Sequence, residues 1–278
     1  RLFGRGSVDM KGFVSLALNM AAGSRDLRRP LVVLLTYDEE VGMAGAKQVA
    51  NDPALSSTLP RATIVGEPTN LEVVRMHKGF AHVKVTVRGR SAHSAYPRLG
   101  VSAIEAAGRV IGSLSELREA WEREGGPNAE QFPEAPFVSL NIGTIHGGAA
   151  ANVIPDRCEL VLSVRLLPGC DEDRVLEQLR ARIDGELEVG GASPPMLLAA
   201  DAPIHRVLCE LTGQESGGGV SYATDAGCLA RAGLECAVWG PGSIERAHRP
   251  NEFITRSELA AARGLLGQVI HRFCVAAE

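Results

Sequence analysis

Two periodicities alternate along this chain. Residues 11–23 carry Phe13, Leu16, Ala17 and Met20 at helical spacing, one apolar stripe on a 3.6-residue repeat. Leu31-Val32-Val33-Leu34-Leu35 then forms a continuous apolar run ending in Thr36, which predicts a strand buried on both faces. A short helix is expected over 42–51, and Ala62-Thr63-Ile64-Val65 reads as the next buried strand. Helix and strand in alternation imply a doubly wound, mostly parallel sheet.

From about residue 76 the period changes to two. Val83, Val85 and Val87 alternate with His82, Lys84 and Thr86; Val138, Leu140 and Ile142 alternate with Ser139 and Asn141. Leu160, Leu162 and Val164 repeat the pattern against Glu159, Val161, Ser163 and Arg165. Strands with one wet face are expected here, with helices over 102–117 and 171–183 and a polar Pro- and Gly-bearing loop over 120–136. The α/β alternation resumes near residue 205. Helices are expected over 205–212 and 226–232, and strands over 218–222 and 236–239. Thr255-Arg256-Ser257-Glu258 is a capping box opening a last helix to about 274. The fold class is therefore α/β: a discontinuous domain over 1–75 and 188–278, interrupted by an inserted α+β domain over 76–187.

Composition narrows the field. The chain has 278 residues, 45% hydrophobic and 22% charged, with a net charge of −4. No basic footprint points to nucleic acid, and no apolar run reaches the ~20 residues that span a bilayer. Six cysteines, at 158, 170, 209, 228, 236 and 274, form no C-x-x-C pair; reduced structural thiols in a cytoplasmic protein are expected.

The chemistry lies at strand-to-helix turns. Asp9 stands in the glycine-flanked Gly4-Arg5-Gly6-Ser7-Val8-Asp9-Met10-Lys11-Gly12, and Glu39-Glu40 follow the 31–36 run. Glu67 lies in Gly66-Glu67-Pro68-Thr69, and His248 in the loop after the last predicted strand. Open α/β sheets place ligands at this edge. Adjacent like charges repel, so clustered carboxylates call for a cation. Carboxylates with imidazole suit a divalent ion, zinc by default, and the surplus of carboxylates favours two ions sharing one of them.

GRGSVDMKG, TYDEEVG, GEPT, RSAHSAYP, IHGGAAANVIPDRCEL and GPGSIERAHRPNE, in this order and spacing, resemble the dinuclear-metal family of acetylornithine deacetylases, succinyl-diaminopimelate desuccinylases, aminoacylases and glutamate carboxypeptidases. The LNIGTIHGG and GPGSIERAHRPNEF segments look most like its acetylornithine deacetylase branch. The resemblance implies hydrolysis of an N-acyl amino acid, N-acetylornithine to ornithine and acetate, a step of arginine biosynthesis. It implies an inserted domain that is ferredoxin-like and serves as a dimerisation or lid domain, and hence a homodimer. It implies two divalent ions, Zn2+ or Co2+, with Asp9 bridging, Glu40 and His248 on one ion and Glu67 on the other. Glu39 would be the general base and His93 would stabilise the developing oxyanion. Asn152, Arg165, Gly147 and Gly148 would contact substrate, as would Thr224; His77 would line the entrance to the site. The family also has an earlier His-x-Asp motif. This sequence begins eight residues before Asp9, so a chain cut from a longer protein is expected, with a weakened second ion site, an exposed apolar face and little turnover from these residues alone; a non-catalytic fragment or dimerising module is the alternative reading.

Overall fold

The computed structural model describes residues 1–276. These form two compact units, 1–77 with 196–276, and 78–195.

In the first unit a mixed sheet runs in the order Met196–Leu197, Val74–His77, Glu235–Val238, Ala62–Val65, with Gly218–Val220 also paired to Val74–His77. Ala62–Val65 lies parallel to Glu235–Val238 in the register Ala62↔Glu235 to Val65↔Val238. The Val74–His77 pairings to Met196–Leu197 and Glu235–Val238 are antiparallel. Helices Gly12–Gly23, Ala44–Ala50, Pro203–Thr212, Asp225–Arg231 and Arg256–Ile270 accompany it. The last begins with the expected capping box: Thr255 Oγ1 accepts from Glu258 N, and Glu258 Oε2 accepts from Thr255 N at 2.8 Å. Trp239 is wholly buried, and its indole N–H donates to Leu71 O at 2.9 Å. Among the described residues, no helix is long and apolar enough to cross a membrane.

The apolar run at 31–36 departs from expectation. It joins no ladder, and Val32, Leu34 and Leu35 are exposed. A strand needs a neighbour to satisfy its N–H and C=O groups, and the chain brings none to this segment. The run instead lines one wall of an apolar groove of about 600 Å³, with Phe13, Ala17, Ile64 and Val269 among the other lining residues.

The second unit is a four-stranded antiparallel sheet in the order Ser139–Gly147, Arg157–Leu166, Gly79–Arg88, Glu186–Ser193. With helices Ala103–Glu124 and Glu172–Arg182, its sequence order is strand, helix, two strands, helix, strand: a ferredoxin-like layout. Two corrections follow. The polar-looking start of the 120–136 segment is still helix, because Trp121 completes the buried stripe Ala103, Ala107, Val110, Leu114, Leu117. The fourth strand, Glu186–Ser193, carries this unit to residue 195 rather than 187, since Leu187 and Val189 pair with Val85 and Val83. Its glycines and glutamates hide the two-residue period. The core is made by Val83, Val85, Val87, Leu160, Leu162 and Val164 packed under Leu114, Val175 and Leu179. Leu162 is fully buried there. Replacing it with alanine should lower the unfolding free energy by about 2–5 kcal/mol, read as a lower guanidinium midpoint; a loss under about 1 kcal/mol would mean that this core collapses around the cavity.

Candidate metal centre

The site is built on three loops of the first unit. The Asp9 loop, 4–11, precedes helix Gly12–Gly23, and Asp9 itself is extended (φ −122°, ψ 91°). The Glu39–Val41 turn follows the apolar run. His248 sits in the 240–252 loop in a left-handed conformation (φ 57°). Val8, Ala247 and Ile254 form a small apolar core with Leu259 that joins the first loop to the third.

Close backbone approach ties in the Glu67 loop. A Cβ on Gly66 would lie 2.0 Å from the Phe13 ring, and one on Gly240 would lie 2.5 Å from Glu67 O; only glycine permits either approach. Gly240 O accepts from Leu71 N at 2.9 Å, and Asn70 N donates to Gly242 O at 2.6 Å. The four loops thus arrive at one sheet edge held by packing and main-chain bonds, with their acidic side chains free for chemistry.

Asp9, Glu40 and His248 each offer a ligand atom, all within 4.8 Å of one another. His248 Nε2 is 3.0 Å from Asp9 Oδ2 and 3.4 Å from Glu40 Oε1. Tetrahedral ligands on bonds of ~2.1 Å lie roughly 3.4 Å apart, so the two His248 separations are of the size that a shared divalent ion requires. Arg5 brings its guanidinium to 3.8 Å from Glu40 and 3.4 Å from His248 Nδ1, an exposed cation beside an anionic cluster. Glu67 is 6% exposed, and Asp9 is among the groups that raise its pKa. Asp9 therefore interacts with both His248 and Glu67.

Burial foremost, then the charges of Asp225, Glu40 and Asp9, push the Glu39 carboxyl up to about 7. Burial, then Asp9, Glu39 and Asp225, pushes Glu67 well above the carboxylate range. Carboxylates this crowded hold protons unless a cation neutralises them. Glu252 behaves oppositely. Burial works against its charge, but N–H donors of Gly6, Val8 and Asp9, with Arg5 nearby, hold it below its ordinary value.

Two further residues join this neighbourhood. Asp225, which the sequence favours as a helix N-terminus over a substrate contact, is buried, and its Oδ1 has no hydrogen-bond partner among the described residues. Tyr222, which sequence reasoning does not single out, has its phenol pushed up by burial, then by Glu67 and Asp9.

Other expected residues fall elsewhere. Thr224 is corrected to a structural role: it is 1% exposed, and its hydroxyl accepts from Ala226 N as the cap of Asp225–Arg231. His77 is fully buried in its strand rather than lining an entrance. In the second unit, His93 and Asn152 are neighbours on a short ribbon, Ala92–His93 paired with Val153–Ile154, with Ser94 N donating to Asn152 O at 2.9 Å. Ala95 N donates to His93 Nδ1 at 3.1 Å, which fixes the neutral ring's proton on Nε2 as an outward donor. Gly147 ends its strand opposite Cys158, Gly148 turns the chain (φ 77°), and Arg165 lies half-buried over the Phe80 ring at 5.6 Å.

Residues 75–190 match the model of the peptidase dimerisation domain. Over 99% of its length the chain is 37% identical to an acetylornithine deacetylase of Myxococcus xanthus and 38% identical to one of Erwinia tasmaniensis, covering 73% of each. An M20 family metallo-carboxypeptidase from Sulfolobus solfataricus superposes with a TM-score of 0.69 at 16% identity, over 96% of this chain and 76% of that one. Aminopeptidase PepT from Bacillus cereus gives 0.63 at 22% identity, over 84% of this chain and 62% of that one. Those structures share the fold, and the sequence relatives extend the likeness across nearly every residue: the chain belongs to the M20 family, with its acetylornithine deacetylases among its relatives.

Proposed function

We propose that this protein hydrolyses the amide bond of an N-acyl amino acid, with N-acetylornithine as the substrate, releasing acetate and ornithine. The observation that carries the reading is a carboxylate of near-neutral pKa, Glu39, beside the Asp9–Glu40–His248 cluster. Its relatives' names support the substrate.

Asp9, Glu40 and His248 would hold one divalent ion, zinc or cobalt, and Glu67 with Asp9 would offer carboxylate oxygens to a second. Such ions polarise a carbonyl and acidify water. Glu39 takes a proton from the attacking water and returns it to the leaving amine. A base of pKa about 7 both accepts and releases protons near neutral pH. His93, its Nε2–H fixed as a donor by Ala95, stabilises the developing oxyanion. Arg165 and Asn152 hold the substrate's carboxylate and carbonyl oxygen, and the inserted unit supports a homodimer.

Three measurements test this. With Zn2+, kcat/KM for N-acetylornithine should exceed that for N-succinyl-diaminopimelate and N-acetylmethionine by about tenfold or more; the reverse ranking would replace the substrate. Glu39→Gln should lower kcat by about 10²–10⁴ while binding metal normally, and retained turnover would remove Glu39 as the base. The third measurement is stability against pH with metal chelated. Glu39 and Glu67 are raised above 4.5 when folded, so from about pH 4.5 to 7 the folded chain binds more protons than the unfolded one, and stability falls as pH rises. The chelated protein should melt lower at pH 8 than at pH 5, and Zn2+ should reverse the order; a flat or rising melting temperature would contradict the crowding.

A further inference from the structure

We propose that Glu252 is a positioning residue that builds the metal site: its carboxylate clasps the Asp9 loop to the His248 loop and so sets the aim of the Asp9 ligand. The proposal rests on reading Asp9, Glu40 and His248 as ligands. Glu252 lies four residues after His248 and is 3% exposed. One of its oxygens, Oε2, accepts from Gly6 N at 3.0 Å; the other, Oε1, accepts from Val8 N at 2.9 Å and Asp9 N at 3.2 Å. Its own carbonyl accepts from Gly4 N at 3.0 Å. Four main-chain N–H groups of the six residues 4–9 therefore end on one side chain and its backbone.

This arrangement does more than fill space. Ser7 N and Lys11 N close turns onto Gly4 O and Gly6 O, whereas the Gly6, Val8 and Asp9 N–H groups turn to Glu252; leaving a buried donor unpaired is costly. The donated bond from Asp9 N acts on the same residue whose Oδ2 meets His248 Nε2 at 3.0 Å. Rotation of the Asp9 backbone would carry that oxygen out of reach. The geometry also selects glutamate over glutamine. Three side-chain-directed donors converge on two oxygens, whereas a glutamine offers one acceptor and turns N–H groups toward N–H groups. Charge-assisted bonds to backbone N–H are also the stronger kind. Glu252 ligates nothing itself; like the outer partners of other metal sites, it orients a ligand.

The test is Co2+ binding by the full chain, followed by calorimetry and by the visible absorption of the bound ion. Glu252→Gln should weaken Co2+ about 10–100-fold and change the ligand-field spectrum, because Asp9 no longer meets the ion at its set angle. Glu252→Asp keeps two acceptors on a shorter stem and should fall between; if Glu252→Gln does not fold, this variant carries the test alone. Leu208→Ala, at a fully buried position of the Pro203–Thr212 helix, controls for lost stability. Wild-type affinity and spectrum in the Glu252 variants, or an equal loss in Leu208→Ala, would overturn the proposal. His248→Ala separates the two levels: if it too binds Co2+ like the wild type, the ligand assignment itself fails, and not only the clasp.

Discussion

Electrostatic crowding is the constraint around which the first unit is organised. Asp9, Glu39, Glu40, Glu67 and Asp225 are gathered at one edge of a sheet, and burial deprives several of them of water. Like charges in such surroundings repel far more strongly than in solvent. The Arg5 guanidinium offsets part of this, and the His248 imidazole lies against Asp9 at 3.0 Å. The remainder is left as protons on Glu39 and Glu67, or as demand for divalent cations. Any site built this way needs a scaffold that resists the repulsion, and the scaffold here is neutral: the Val8–Ala247–Ile254 core, the close approaches at Gly66 and Gly240, and the main-chain bonds between loops.

A second tension comes from the apolar groove. Residues 31–36 are among the most hydrophobic in the chain, yet they join no ladder. Glu39, Glu67 and Asp225 share the groove lining with apolar side chains such as Phe13 and Val33. A carboxylate beside so much apolar surface is poorly hydrated, which is the largest cause of the raised pKa of Glu39 and Glu67. The groove and the chemistry are one electrostatic environment.

The inserted unit solves a different problem. It has a continuous core between one sheet face and two helices, and it presents His93 from a two-residue ribbon rather than from the sheet. A ribbon residue keeps an exposed ring, while the Ala95 N–H fixes its tautomer. The stabilising core and the exposed His93 ring thus lie in separate parts of the same unit.

The sequence by itself determined the two periodicities and the motif residues. The helical stripe of Phe13 and Leu16, the alternating valines at 83, 85 and 87, and the capping box at Thr255 act locally, through neighbours a few positions away, so pattern alone reveals them. The acidic residues at turns were legible for the same reason. Only the tertiary structure decided what depends on distant partners. Whether the 31–36 run finds a ladder, whether Glu186–Ser193 becomes a fourth strand, and whether Thr224 faces inward are settled by segments far away in sequence. So is the convergence of Gly6, Val8 and Asp9 on Glu252: a carboxylate some 240 residues away becomes an acceptor for main-chain N–H groups only once the two loops lie side by side.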